Sequence, residues 1–197
     1  MHYAVDLSIT QDALNVSSDI AKKLTVDLLI SNAGVTGIAR EGEIEPWRQI
    51  ESIINVNCTG AIAISHSIIS DMQTRKSGHV VYISSIAAYY GMPLTPAYCA
   101  SKAALKAYAE AMRGLLASES INVTLVTPGF VETSMSQQFP SKKPFMINST
   151  KAARVIKKGL DKKKRVISFP LPLVVGMKLL TILPAAFSDW ILSKLKY

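Results

Sequence analysis

Short apolar runs closed by turn residues alternate along the chain with longer stretches in which apolar positions recur at helical spacing. That alternation is the mark of repeated strand-helix units and a mainly parallel sheet. The apolar runs predict strands at Tyr3 to Asp6, Asp27 to Ser31, His79 to Ser84, Asn122 to Thr127 and Arg165 to Phe169. Between them, helices are predicted over Gln11 to Leu24, Pro46 to Thr74, Ala97 to Ala117 and Thr150 to Leu160. Pro46 stands at the opening turn of the longest helix, where its missing N–H costs nothing. Asn148 and Ser149 offer caps to the last one. The stretch Gly129 to Ile147 holds Pro140, Pro144 and no clear period, so it reads as a long loop. Beyond it, Leu171 to Tyr197 is rich in Leu, Ile and Val but is broken by Pro172, Pro184 and Lys178. A membrane span wants about twenty uninterrupted apolar residues, so short helices are expected there instead. The chain therefore divides into an α/β domain over residues 1–170 and an apolar, basic C-terminal extension over residues 171–197.

Composition supports this division. At 197 residues, 49% hydrophobic and 18% charged, the chain can bury one sizeable core, and disorder is excluded. Its net charge of +8 is unevenly placed, since residues 142–197 carry thirteen basic residues against two acidic ones. Eight of the basic residues fall between Lys151 and Arg165, followed directly by apolar sequence. That combination attracts anionic lipid headgroups, and an anionic membrane surface is one reading. A solvated helix followed by a core strand is the other. No aromatic residues interleave with the basic run, so no nucleic acid is expected. Cys58 and Cys99 give neither metal spacing nor a disulfide framework, so no metal is expected and a reducing compartment is the natural reading. The opening residues lack a basic flank and a long apolar run, so a secretory signal is not expected. The expected location is cytoplasmic, with membrane association left open.

The candidate chemistry centres on Tyr98 and Lys102, four residues apart on one predicted helix and thus on one face. A free phenol titrates near ~10, and a fixed cation beside it would bring it toward useful acid-base range. Alone, such a pair reads equally as a solvated helix face. It gains meaning from its surroundings. Ser85 lies thirteen residues before Tyr98, Asp27 to Gly34 ends in Ser-Asn-Ala-Gly, Asn55 to Gly60 reads Asn-Val-Asn-Cys-Thr-Gly, and Thr127 to Thr133 reads Thr-Pro-Gly-Phe-Val-Glu-Thr.

As an ordered set, these motifs resemble the short-chain dehydrogenase/reductase family, from about Val5 to about Pro170. The resemblance implies an α/β fold with an incomplete Rossmann-like, doubly wound parallel sheet. It also implies hydride transfer between a nicotinamide cofactor, NAD or NADP, and a carbonyl or alcohol carbon. Tyr98 would then pass a proton to or from the substrate oxygen. Lys102 would hold the nicotinamide ribose and lower the tyrosine pKa, and Ser85 would hydrogen-bond the same oxygen. Ser84 competes with Ser85, but the thirteen-residue spacing to Tyr98 favours Ser85. Asn57 matches the position that holds a water linking the lysine to solvent, with Asn55 its confusable neighbour. On the cofactor side, Asp6, Asn32, Ala33 and Gly34 match residues that meet the adenosine, and Pro128, Gly129, Val131 and Thr133 match the turn that receives the carboxamide. Phe130, Met135, Phe139, Phe145 and Met146 would give the 129–147 loop an apolar inner side over a hydrophobic substrate, although they read equally as core. The resemblance further implies a homo-oligomer, a dimer through the two long helices.

The chain departs from this family in one respect. No Gly-rich turn leads from a strand into a helix N-terminus that could bind pyrophosphate, because Gly34, Gly37 and Gly42 are spaced wrongly and placed too late. The match enters at the family's third strand, so two strands, their helices and the residue that chooses between NAD and NADP are expected to be missing. In the order 3-2-1-4-5-6, their loss leaves Tyr3 to Asp6 without a partner, about 14 Å from its surviving neighbour. It also leaves Asp27 to Ser31 with a bare apolar edge.

Overall fold

The computed structural model describes residues 1–40, 42–140 and 142–195. Helix α1 (Thr10–Lys23) precedes β1 (Leu28–Ser31), and a long helix follows in three parts: α2 (Trp47–Ile54), a π-helical segment (Asn55–Gly60) and α3 (Ala61–Arg75). Then come β2 (Gly78–Ile83), α4 (Pro96–Leu115) and β3 (Ile121–Pro128). The 129–147 region contains β4 (Val131–Glu132) and α5 (Ser134–Gln137), and ends at β5 (Ile147–Asn148). It is followed by α6 (Ser149–Asp161), β6 (Val166–Phe169), α7 (Leu171–Ile182) and α8 (Ala185–Leu195).

β1, β2, β3 and β6 form one parallel sheet in that order, with Ile30 opposite Val81, Val80 opposite Val123 and Val126 opposite Ile167. β4 and β5 form a separate two-stranded parallel pair. Alternation along the strands sorts the core into two layers. Val80, Tyr82, Val123 and Leu125 pack with Ile68 and Met72 of α3 and Leu105 and Ala109 of α4. Val81, Val126, Ile167 and Phe169 meet Ala152 and its neighbours on α6. Helices thus cover both faces, as expected of a doubly wound sheet.

Trp47–Arg75 is the single helix among the described residues long and apolar enough to cross a membrane. It is a core helix instead, because α3 packs on α1 and carries the buried Ile68, Ile69 and Met72. Gly60 permits that packing, since a Cβ there would run into the Leu7 carbonyl.

The predicted first strand is not formed. Residues 1–6 carry no regular element, and the Tyr3 hydroxyl donates instead to Asp19 of α1 at 2.7 Å. A strand exists only where a neighbour completes its ladder, and this segment has none. The expected bare edge is present on β1: Leu29 joins the core, while Leu28 and Ile30, on the opposite face, are each 47% exposed. No helix reaches across to cover them among the described residues.

Candidate active site

Four elements converge beyond the C-terminal ends of the strands, the place where open parallel sheets bind ligands. Ser84 and Ser85 follow β2, and the structure gives them different tasks. The Ser84 hydroxyl is buried and donates to the Lys102 carbonyl at 2.8 Å, tying α4 to the sheet. Ser85 caps a single 3₁₀ turn (Ile86–Ala88), its Oγ accepting from the Ala87 N–H at 3.1 Å, and it lies near enough to the Tyr98 hydroxyl to pull that phenol's pKa down. Ser84 is thus committed to the α4 backbone, while Ser85 lies beside Tyr98.

Tyr98 and Lys102 sit in the first turns of α4. Lys102 is 4% exposed; its Nζ donates to the Ile83 carbonyl at 3.0 Å and stands 5.8 Å from the centre of the Tyr98 ring. Burial pushes its pKa from 10.5 down to about 8, slightly opposed by the Cys58 thiol. The expected lowering of the phenol pKa by this cation is not found. Burial raises the Tyr98 pKa, the Ser85 hydrogen bond pulls it back, and the Cys99 thiol adds to the rise. The ammonium is engaged by a β2 carbonyl, and burial of the phenol is the largest influence on it.

Asn57 occupies the π-helical segment, a distortion that recurs at functional sites. Fully buried, its Nδ2 donates to the Val35 carbonyl at 2.9 Å and to Ser101 Oγ at 3.0 Å, while its Oδ1 accepts from the Val35 N–H at 2.8 Å. One side chain thus joins the loop after β1, the long helix and α4. Asn55 stands two residues earlier in the same π-helical segment. Gly34 belongs to the same cluster. A Cβ there would lie 3.0 Å from Asn57 Oδ1 and 3.4 Å from Lys102 Nζ.

Sequence reasoning missed Glu45. Its carboxylate is 5% exposed and accepts from the Ala97 N–H at 2.8 Å, one residue before Tyr98. The N-cap residue Thr95 caps no backbone N–H of this helix with its side chain. Glu45 therefore satisfies an orphan amide and places negative charge at the positive helix end. No local pattern announces a cap that arrives from another element.

The remaining predicted positions are more scattered. Asn32 and Ala33 are exposed just past β1. Pro128 ends β3, and the Gly129 N–H donates to the Phe169 carbonyl at 2.7 Å. Val131 pairs with Ile147, and Thr133 caps α5 through a reciprocal bond with Ser136. Asp6 is exposed, its carboxylate pKa held down by hydrogen bonds from Ser8. Of the loop's apolar residues, Phe130 and Phe139 pack with ring centres 5.8 Å apart, whereas Phe145 and Met146 are 59% and 45% exposed, so the expected apolar inner side is only partly formed.

A cavity of about 590 Å³ lies beside this cluster, walled by the 87–93 segment, Cys99, Ala100 and Ala103 of α4, and Leu192 of α8. Ser85 and Tyr98 are its sequence neighbours but not its lining.

The family model for short chain dehydrogenases matches residues 1–144. The chain belongs to the short-chain dehydrogenase family. An uncharacterized oxidoreductase of Myxococcus xanthus is 34% identical over 164 residues, covering 83% of this chain and 64% of that protein. Dehydrogenase/reductase SDR family member 7B of Danio rerio is 31% identical, over 92% of this chain and 63% of that protein. This short-chain dehydrogenase chain thus spans less than two thirds of either relative. A short chain dehydrogenase from Burkholderia cenocepacia in complex with NADP superposes with a TM-score of 0.80, at 21% identity, over 99% of this chain and 80% of that one. A putative NAD(P)-dependent gluconate 5-dehydrogenase from Beutenbergia cavernae with bound NADP gives a TM-score of 0.64 at 26% identity, covering 81% and 58%.

The residues of this short-chain dehydrogenase fit one half of a nicotinamide dinucleotide. Gly34, Lys102 and Asn57 form a cradle that a side chain at Gly34 would crowd, with Pro128 and Gly129 across the strand ends. The pyrophosphate half has no Gly-rich turn to receive it within the chain.

Proposed function

We propose that the chain carries the catalytic half of an NAD(P)-dependent oxidoreductase that interconverts a hydrophobic carbonyl compound and its alcohol. The observation that carries this reading is the way hydrogen bonds to the loop after β1, to α4 and to the end of β2 fix Asn57 and Lys102, with Lys102 Nζ 5.8 Å from the centre of the Tyr98 ring. The nicotinamide, when bound, supplies or takes the hydride. Lys102 would hold its ribose side, with Pro128, Gly129, Val131 and Thr133 toward the carboxamide and Asp6, Asn32, Ala33 and Gly34 toward the adenosine. Tyr98 moves the proton at the substrate oxygen. Its hydroxyl, raised in pKa by burial, is a protonated donor at neutral pH, which suits it to reduction. Ser85 lies beside that hydroxyl and can offer its own to the same oxygen as negative charge develops there. Lys102, poised at about 8, is a group that can exchange a proton with solvent through the polar Asn57 cluster. The apolar cavity beside Tyr98 supports a hydrophobic substrate. Ala100, Ala104, Ala107 and Ala111 leave an exposed small-residue face on α4, which supports pairing of two copies through the long helices.

Turnover of NADPH or NADH with a panel of lipophilic ketones tests this reading. Tyr98→Phe is expected to lower the rate by about a hundredfold or more, and an unchanged rate would remove the assignment. A second reading, favoured by the missing Gly-rich turn, is a cofactor-deficient chain that serves as an interaction module. It predicts weak dinucleotide binding by the 197-residue chain, and a micromolar affinity in a direct titration would dismiss it.

A further inference from the structure

Helix α7 is apolar on every side. Val174 and Leu180 are buried as it packs on β6 and the 86–88 turn, whereas Leu171, Val175, Leu179 and Ile182 are 71%, 47%, 49% and 76% exposed. Their spacing of four, four and three residues makes one stripe along the outer side. A helix apolar all round needs apolar matter on both sides. α8 extends the outer surface: Phe187 and Trp190 stack with ring centres 5.7 Å apart, each at least half exposed, and Leu195 is exposed beyond them. Lys178 and Lys194 stand among these residues. Asp189 is the one acidic residue of the two helices, and it already accepts from the Tyr90 hydroxyl at 3.1 Å.

We infer that the outer face of α7 and α8 rests in the surface of an anionic lipid bilayer. At 1.5 Å per residue, the twelve residues of α7 reach about 18 Å, well short of the ~30 Å hydrocarbon layer. The helix therefore lies in the interface and does not cross it. The exposed lysines beside apolar side chains suit the boundary between headgroups and acyl chains, as does the stacked Trp190. Charge selects the occupant. The two helices carry Lys178 and Lys194 against Asp189 alone, so a second copy docked through the same face would set lysines against lysines. An anionic leaflet attracts the same charges. The inference rests on the proposed oxidoreductase reading in one respect: α8 also walls the apolar cavity through Leu192, so a hydrophobic substrate would enter from the bilayer.

Sedimentation of the purified chain with vesicles tests it without requiring turnover. Vesicles of phosphatidylcholine with phosphatidylserine should bind about tenfold more tightly than phosphatidylcholine alone, and salt should weaken that binding. In a Trp47→Phe background, Trp190 emission should shift to the blue on binding. Leu179→Glu and Ile182→Glu, both at exposed positions, should each cut binding by about tenfold with circular dichroism unchanged. Absent binding, equal binding to both vesicle types, or full binding by the glutamate variants would overturn the inference. So would a lipid-free dimer dissolved by Leu179→Glu, which would make a second copy the cover. A chain that binds vesicles but turns over no substrate would count against the enzymatic reading alone.

Discussion

Lys102→Met removes a buried ammonium while keeping most of its stem, and the structure fixes both the sign and the size of the outcome. The unfolded chain keeps this proton up to about 10.5, the folded chain only up to about 8. Between those values the unfolded state binds more protons, so stability rises with pH; below about 8 the full penalty is present. At about 1.4 kcal/mol per pKa unit, that penalty is about 3 kcal/mol. Against it stands the hydrogen bond to the Ile83 carbonyl, worth about 1 kcal/mol at any pH. Lys102→Met should therefore be about 2 kcal/mol more stable than the parent near pH 7, and that advantage should vanish near about pH 9.5. Urea unfolding followed by circular dichroism at the two pH values measures this. Taking the difference between the two proteins cancels the titration of the other groups that burial shifts, such as Tyr82 and Cys99. A difference that does not change with pH would refute the argument that this ammonium is desolvated.

Three further outcomes follow from the same geometry. Asn57→Ala strands the Val35 amide and carbonyl and removes one of the two bonds of the Ser101 hydroxyl, and should cost about 3 kcal/mol, lowering the melting temperature by roughly 6–12 °C; a loss under about 1 kcal/mol would deny that Asn57 ties the site together. Glu45→Ala should cost about 1–2 kcal/mol in urea unfolding, with Glu45→Gln retaining part of the cap through its amide oxygen, and no loss in the alanine variant would contradict the tertiary cap. Replacing both Leu28 and Ile30 with lysine should reduce self-association in sedimentation velocity at little cost to stability, because both are already half exposed; unchanged association would show that this bare face is not sticky.

The periodicity located the four strands of the main sheet and the long helices to within a residue or two, because buried parallel strands and amphipathic helices announce themselves locally. Tyr3 to Asp6 has the same apolar character and yet is no strand, since pairing belongs to the neighbours and not to the segment. The spacing of Tyr98 and Lys102 put them on one face of α4, with Lys102 Nζ 5.8 Å from the centre of the Tyr98 ring. It could not say that the ammonium would turn to the Ile83 carbonyl, or that Ser84 would hold the Lys102 carbonyl, because those choices depend on where β2 ends relative to α4. Glu45 was illegible for a related reason. Its partner lies 52 residues away, beyond the long helix, β2 and the 3₁₀ turn, which the sequence does not show folding onto each other.

That distance bears on how the site comes into being. The helix bearing the proposed acid has no side chain of its own to start it, so its opening turn waits for a carboxylate delivered from before the long helix. Asn57 likewise reaches 44 residues forward to Ser101. Closing such long loops is entropically expensive and comes after local order. The polar cluster should thus be among the last parts of the molecule to assemble and among the first to dissolve when the chain loosens, so that chemical competence reports on the integrity of the whole half-barrier between sheet and helices.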